Sequence, residues 1–131
     1  MFIFSCKTSY VKYIFDDRKP DANYIDNRFI FEDIMYVYVK SNRNANYLKL
    51  EELDLVRKRC IFNGVFDYDS KTGLIKSFQM VKDSDYLLTI NGVYKVRFNK
   101  INQKKYQFCE IKIEENDIIN VRYTNIPIRV L

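Results

Sequence analysis

Apolar and polar residues alternate along most of the chain, which is the pattern of β-strands that bury one face. The longest such run, residues 28–40 (RFIFEDIMYVYVK), has apolar residues on both faces, so we expect a central strand there. One face carries Phe29, Phe31, Met35, Val37 and Val39, and the other carries Ile30, Glu32, Ile34, Tyr36 and Tyr38. About nine strands joined by short turns predict a mainly β fold, either an antiparallel β-sandwich or a partly open β-barrel, with one short helix.

Residues 86–98 (YLLTINGVYKVRF) predict a β-hairpin, because two strand-like runs meet at Asn91-Gly92. A two-residue turn places Ile90 opposite Val93 and Tyr86 opposite Arg97. In this register the core face carries Leu87, Tyr94, Val96 and Phe98, and the other face carries Tyr86, Leu88, Ile90, Val93, Lys95 and Arg97.

Residues 48–59 (LKLEELDLVRKR) predict the helix. Acidic residues stand near its start and bases near its end, so the charges complement the helix dipole. Leu50, Leu53 and either Val56 or Leu55 would pack inward.

Further strands are predicted at residues 1–6, 9–15, 65–68, 74–81, 106–114, 118–123 and 128–131. Residues 69–73 (DSKTG) have the composition of a hairpin loop in which Gly73 is left-handed. That hairpin would place Asp67 opposite Lys76 as a cross-strand ion pair. A second hairpin is expected between the strands at 106–114 and 118–123.

With 131 residues, the chain fits a single β-rich domain spanning residues 1–131. Cys6, Cys60 and Cys109 are far apart and odd in number, so they indicate neither a disulfide framework nor a zinc site. We therefore expect a reducing, cytoplasmic location. The apolar residues 1–6 are too few for a signal peptide or a membrane span, so no membrane contact is expected.

The formal net charge is +5, and five bases without an acid occur between residues 95 and 105. This clustering favours an anionic partner, single-stranded or duplex nucleic acid being the first hypothesis. A tyrosine beside bases on an exposed sheet face is also how OB-fold proteins stack unpaired bases. The predicted contact residues are Tyr86, Lys95, Arg97, Lys100, Lys104 and Lys105, with Arg57, Lys58 and Arg59 as a second basic group.

The chain contains no histidine, which removes the usual general base, Ser/Cys–His nucleophile pairs and histidine metal ligands. Neither a G-x-x-x-x-G-K-[ST] loop nor a G-x-G-x-x-G turn is present. We therefore expect a non-catalytic chain that needs no cofactor and no metal.

One catalytic alternative rests on Glu110 and Lys112, an E-x-K within residues 108–113. This motif resembles the core of the restriction-endonuclease-type metal nucleases. The resemblance implies a magnesium ion held by Glu110 and by Asp83 or Asp85, with Lys112 at the scissile phosphate. The interpretation we favour is that Glu110 and Lys112 are exposed alternate positions of an edge strand.

The main alternative to nucleic-acid binding is recognition of another protein. Abundant Ile, Asn, Lys, Tyr and Phe with scarce Ala and Gly is typical of AT-rich genomes, including those of many phages and large DNA viruses. A small basic β domain without a catalytic set also suits a viral or phage protein that acts in virion assembly or blocks a host defence. Its partner would present an acidic surface, and a homo-oligomer is compatible with this hypothesis.

Overall fold

The computed structural model describes residues 10–19, 33–53, 56, 58–115 and 118–128. These residues form nine strands and one helix. In chain order they are β1 (Tyr10–Asp16), β2 (Ile34–Ser41), β3 (Asn46–Leu53), β4 (Lys58–Phe66), β5 (Leu74–Val81), β6 (Asp85–Ile90), β7 (Tyr94–Phe98), α1 (Lys100–Lys105), β8 (Phe108–Ile113) and β9 (Ile118–Thr124).

The described strands form a five-stranded sheet, ordered β1-β9-β8-β2-β5, and a four-stranded sheet, ordered β4-β3-β6-β7. The four-stranded sheet is antiparallel throughout. The five-stranded sheet is mixed, because β1 runs parallel to β9 and β2 runs parallel to β8, so the predicted antiparallel arrangement is wrong for these two pairs. Strand β2 lies between β8 and β5, which confirms its predicted central position.

One apolar core lies between the two sheets. Met35, Val37 and Val39 of β2 are fully buried in it, as their alternation predicts. Leu88 and Ile90 of β6 join the same core from the four-stranded sheet. The mainly β, sandwich-like prediction with one short helix is confirmed, and the barrel alternative is not adopted because the strands divide between two sheets.

The predicted helix at residues 48–59 is wrong. Most of that segment forms β3 and the start of β4, which pair antiparallel. Leu48 and Leu50 are fully buried while Lys49 between them is partly exposed, so the period of two decides the local structure. Strand β3 is hydrogen-bonded to β4 on one side and to β6 on the other. This pairing outweighs the tendency to form a helix that the charge pattern indicates. The helix of the described chain is α1, after β7.

The hairpin at Asn91-Gly92 is confirmed, but its register is shifted by one residue. Both residues have positive φ, 53° and 70°, as expected. The loop also includes Val93, whose N–H donates to the Ile90 carbonyl at 3.1 Å, so Ile90 pairs with Tyr94. The longer loop places Tyr86, Leu88, Ile90, Val96 and Phe98 on the same core face, whereas the predicted register would have exposed three of them.

The tight loop predicted at residues 69–73 is present, since Gly73 is left-handed as expected (φ 75°) and the Asp69 N–H donates to the Leu74 carbonyl at 2.9 Å, but the strand ladder expected beyond it does not form. Its flanking strands β4 and β5 belong to different sheets, so the loop crosses the sandwich. Asp67 therefore does not meet Lys76; its carboxylate accepts a hydrogen bond from the Ala45 N–H at 2.7 Å. Lys76 instead lies over the rings of Phe62 and Phe66.

The predicted pairing of residues 106–114 with 118–123 is confirmed by the antiparallel β8–β9 ladder. The strand predicted at residues 9–15 is confirmed as β1, which ends at Asp16, one residue later than predicted. Residue 9 lies outside the described residues. The first strand expected at residues 1–6 lies outside the described residues. Of the last expected strand, residue 128 is not in a strand and residues 129–131 lie outside the described part of the chain.

Candidate polyanion-binding surface

Lys95 and Arg97 occupy alternate positions of β7, an outer strand of the four-stranded sheet. Val96 and Phe98 at the intervening positions are buried, so the two basic side chains point away from the core and are exposed. The backbone positions that carry these two cations are therefore about 7 Å apart along the outer face of one strand.

Helix α1 follows β7 after one residue and brings three more bases. Asn99 starts the helix, because its side-chain oxygen accepts a hydrogen bond from the Asn102 N–H at 2.9 Å. Gln103 anchors the helix, since its buried Nε2 donates to the Ser84 carbonyl at 2.7 Å. We define the basic edge as the exposed residues Lys95, Arg97, Lys100, Lys104 and Lys105.

Ion pairs with the described residues do not neutralise the charge of the basic edge. None of its five side chains is within 4.0 Å of an acidic group on a residue that the structure describes. Elsewhere the pattern differs, since Lys40 Nζ lies 2.8 Å from Glu110 and Arg59 Nε lies 3.3 Å from Glu52. The basic edge therefore retains its charge for an external anion.

Acidic groups border the helical half of this surface. The Lys100 N–H donates to Asp85 Oδ1 at 2.8 Å. Asp33 and Asp83 line an open pocket of about 300 Å³ together with Lys104. Uncompensated positive charge is therefore concentrated on the strand half of the basic edge.

Tyr86 does not belong to this surface, so its predicted exposure beside Lys95 and Arg97 is wrong. Its ring is on the core face, only 4 % exposed. Its hydroxyl accepts a hydrogen bond from the Val81 N–H and donates one to Glu52 Oε2, both at 3.3 Å. Burial raises the pKa of Tyr86. The cause of the error is the one-residue shift of the hairpin register.

Two exposed rings that sequence reasoning missed take the place of Tyr86. Tyr13 and Phe15, at alternate positions of β1, are 38 % and 47 % exposed. The Tyr13 hydroxyl accepts a hydrogen bond from the Arg97 N–H at 3.1 Å, so its ring borders the basic edge directly. The alternation of residues 9–15 indicates that both rings share a face, but no local signal shows that β1 lies beside β7.

Packing holds the Phe15 ring in place. It stacks on the buried ring of Tyr123 with centroids 5.4 Å apart and an interplanar angle of 7°. Tyr106, which directly follows Lys105, lies 6.0 Å away from it. The Tyr106 hydroxyl donates to Asp17, and this hydrogen bond raises the pKa of Tyr106 to about 12. Despite its contacts with Tyr123 and Tyr106, about half of Phe15 remains exposed.

The second predicted basic group lies elsewhere. Lys58 and Arg59 are exposed on β4, at the opposite edge of the four-stranded sheet from β7. Arg59 is engaged by Glu52. Arg57 lies outside the described residues. The structure therefore does not bring the two basic groups together.

The E-x-K residues lie in a cationic network. Glu110 is buried on β8, an interior strand, so the expectation of an exposed edge position is wrong for Glu110. Lys40 Nζ, Arg122 Nη2 and Lys112 Nζ lie 2.8, 3.4 and 3.9 Å from its carboxylate. Burial by itself raises the pKa of Glu110, but the hydrogen bond from Lys40 and the nearby cations outweigh it and lower the pKa.

The carboxylates proposed as partners of Glu110 are used otherwise. Asp85 accepts the hydrogen bond from the α1 backbone, and Asp83 lines the pocket beside Lys104. Across the described residues, no three His, Cys, Asp or Glu side chains are grouped as a metal site would need.

No protein-family model, curated protein or solved structure matches this chain. Within the described ranges, no helix has the length and apolar character that crossing a bilayer requires. Function is therefore inferred from the arrangement of the side chains.

Proposed function

We propose that the chain is a non-catalytic binding module that holds single-stranded nucleic acid along the basic edge and the neighbouring rings of Tyr13 and Phe15. The observation that carries this proposal is the juxtaposition of two exposed aromatic rings with five exposed cations that form no ion pair with a described residue. Cationic grooves with stacking rings are the device by which proteins bind single strands with little sequence preference.

The cations supply the electrostatic part of binding. Lys and Arg that neutralise phosphates release counterions, and each such contact steepens the salt dependence by about 0.7 for a single strand. Lys95 and Arg97 are separated by about the spacing of successive phosphates in an extended strand. Because neither has an acidic partner among the described residues, no ion pair with that part of the chain must be broken first.

The rings supply the part of binding that favours a single strand over a duplex. A base stacks on an exposed ring only if it is not already stacked and paired within a duplex. Phe15 is held by Tyr123, so little side-chain entropy is lost when a base stacks on the exposed part of its ring.

The other cationic surface is less suited to the task. On the outer face of the five-stranded sheet, Lys40 and Arg122 are already bound to Glu110, and Arg122 also contacts Asp16 at 3.3 Å. A polyanion there would compete with existing ion pairs. The same neutralised Glu110 favours a non-catalytic role, and we expect no cleavage of nucleic acid with magnesium or manganese.

The test is fluorescence anisotropy of a labelled oligonucleotide over a salt series. The double variant Lys95→Gln/Arg97→Gln is expected to bind more weakly, with a salt slope reduced by about 1.4. The double variant Lys58→Gln/Lys71→Gln removes the same charge from exposed positions elsewhere and is expected to retain the slope. If both double variants lost the same oligonucleotide affinity, binding would depend on net charge alone, and the proposed site would be wrong.

The ring contribution is tested by Phe15→Leu, which keeps an apolar group against Tyr123. Stacking contributes about 1–3 kcal/mol per base, so binding should weaken about fivefold or more. Phe62→Leu, at the far side of the sandwich, is the matched control. Absence of binding to any oligonucleotide at low salt would sink the proposal.

The alternative function is recognition of a protein, in the setting of a virus or phage acting in its host cell. Both proposed functions place the chain in the reducing interior of a cell. The free thiols of Cys60 and Cys109 fit that setting. Loss of all oligonucleotide binding would leave this alternative in place.

A further inference from the structure

The two outer edges of the four-stranded sheet differ in how far the described residues cover them. At β7, the Arg97 N–H is bonded to the Tyr13 hydroxyl of β1, so part of that edge is covered. At β4, no strand that the structure describes pairs with the outer edge. Strand β4 is also the longest described strand, with nine residues.

Strand β4 exposes apolar as well as polar side chains. Ile61 is 40 % exposed and Val65 is 63 % exposed, with exposed Asn63 between them. A long outer strand with exposed apolar side chains is a template for pairing with another strand. Lys76 of β5 lies 5.0 Å from the Phe62 ring and closes the core at this side, so an added strand would extend the sheet without entering the core.

Charge is distributed unevenly along this strand. Lys58 and Arg59 stand at its start, and Asp67 and Asp69 follow its end; all four are exposed. A second strand running antiparallel with the same sequence would set the basic start of each copy beside the acidic end of the other. A parallel arrangement would set like charges together.

We propose that β4 pairs antiparallel with β4 of a second copy of this chain, about a two-fold axis at Asn63. This register places Ile61 opposite Val65 twice and brings Arg59 near Asp67 twice. A two-fold interface uses the same patch on both subunits, which these complementary ends allow. The two four-stranded sheets would then form one sheet of eight strands, while both basic edges remain at its outer margins.

Pairing is tested by the molar mass of the full chain over a concentration series, measured by light scattering after size-exclusion chromatography. A dimer is expected. Val65→Lys should shift it to a monomer at equal concentration, because a lysine at an outer strand opposes strand addition. Val93→Lys is the matched control, since Val93 is equally exposed (63 %) but lies in the β6–β7 loop. Thermal unfolding of both variants verifies that each is folded.

The register is tested by disulfide trapping in a Cys6→Ser/Cys60→Ser background. Asn63→Cys places two thiols directly opposite each other at the axis, within disulfide reach. It should crosslink at least tenfold faster than Lys95→Cys, on the outer strand at the other margin of the same sheet. A chain that stays monomeric, with equal slow crosslinking at both positions, overturns the proposal. The readout is independent of nucleic acid, so failure here leaves the proposed function untouched.

Discussion

The Tyr13 hydroxyl accepts a hydrogen bond from the backbone N–H of Arg97 at 3.1 Å, across 84 residues of sequence. This contact joins β1, an outer strand of one sheet, to β7, an outer strand of the other. It satisfies an edge N–H that would otherwise point to solvent, and it holds the Tyr13 ring beside the backbone of a basic residue. One hydrogen bond thus connects the closure of the sandwich with the surface proposed to bind nucleic acid.

Tyr13→Phe removes that hydrogen bond and retains the ring. We expect the free energy of unfolding to fall by about 0.5–1 kcal/mol, since the hydrogen bond is solvent-accessible and its loss leaves an N–H that water can reach. Urea unfolding measures the change, and amide hydrogen exchange should be faster at Arg97. Tyr68→Phe is the control, because no hydrogen bond to its hydroxyl occurs among the described residues. Equal effects in the two variants would refute a specific role for the Tyr13 hydroxyl.

Much of the sheet structure was predictable from alternation alone. Met35, Val37 and Val39 are core residues because a period of two sorts them onto one face, whichever strand lies beside them. The β8–β9 pair was predictable because its strands are adjacent in sequence. The parallel pairing of Tyr10 with Ile118 was not, because parallel partners need not be neighbours in the chain.

The candidate site was predictable only in part, for the same reason. The clustering of bases on β7 and α1 is visible in the sequence, and their exposure follows from the burial of Val96 and Phe98. The aromatic component was misassigned, because one extra loop residue moves Tyr86 to the other face. Tyr13 is the ring beside the basic edge because β1 and β7 meet where the two sheets come together, and no local sequence pattern encodes that contact.

The left-handed turn residue of that hairpin gives a direct test of loop geometry. Gly92 has φ 70°, and an added Cβ there meets no atom within 4 Å, so Gly92→Ala isolates backbone strain. We expect a loss of about 1 kcal/mol in the free energy of unfolding.

Gly64 is the control position for this test. It lies within β4 and has no positive φ, and an added Cβ meets the Phe66 ring at an ordinary 3.6 Å. Gly64→Ala should therefore be neutral or slightly stabilising, because strand alanine has less conformational entropy to lose. Urea unfolding curves compare them, and a larger loss at Gly64 would contradict this view.

The ion pairs of the five-stranded sheet predict how stability responds to acid. Hydrogen bonds from Arg18 lower the pKa of Asp16, and Lys40 and its neighbours lower the pKa of Glu110. A folded-state pKa below the unfolded value means that the unfolded chain binds more protons between the two values. Stability from these groups is therefore complete above the ordinary values of 3.8 for Asp and 4.5 for Glu, and declines as the pH falls below them.

Substitution of these carboxylates should reduce the fall of the free energy of unfolding at low pH. Asp16→Asn and Glu110→Gln are expected to lower the free energy of unfolding near neutral pH, because Arg122 contacts both carboxylates and loses a partner in either variant. The gap between each variant and the parent chain should narrow as the pH falls below these ordinary values, and Asp16→Asn should still differ from the parent chain at about pH 3, because hydrogen bonds from Arg18 hold the pKa of Asp16 well below its usual range. Asp83→Asn, whose carboxylate makes no ion pair with a described residue, should run parallel to the parent chain over the same range. Denaturant unfolding at a series of pH values measures each curve, and a constant gap between Glu110→Gln and the parent chain down to pH 2 would show that Glu110 acts through packing instead of charge.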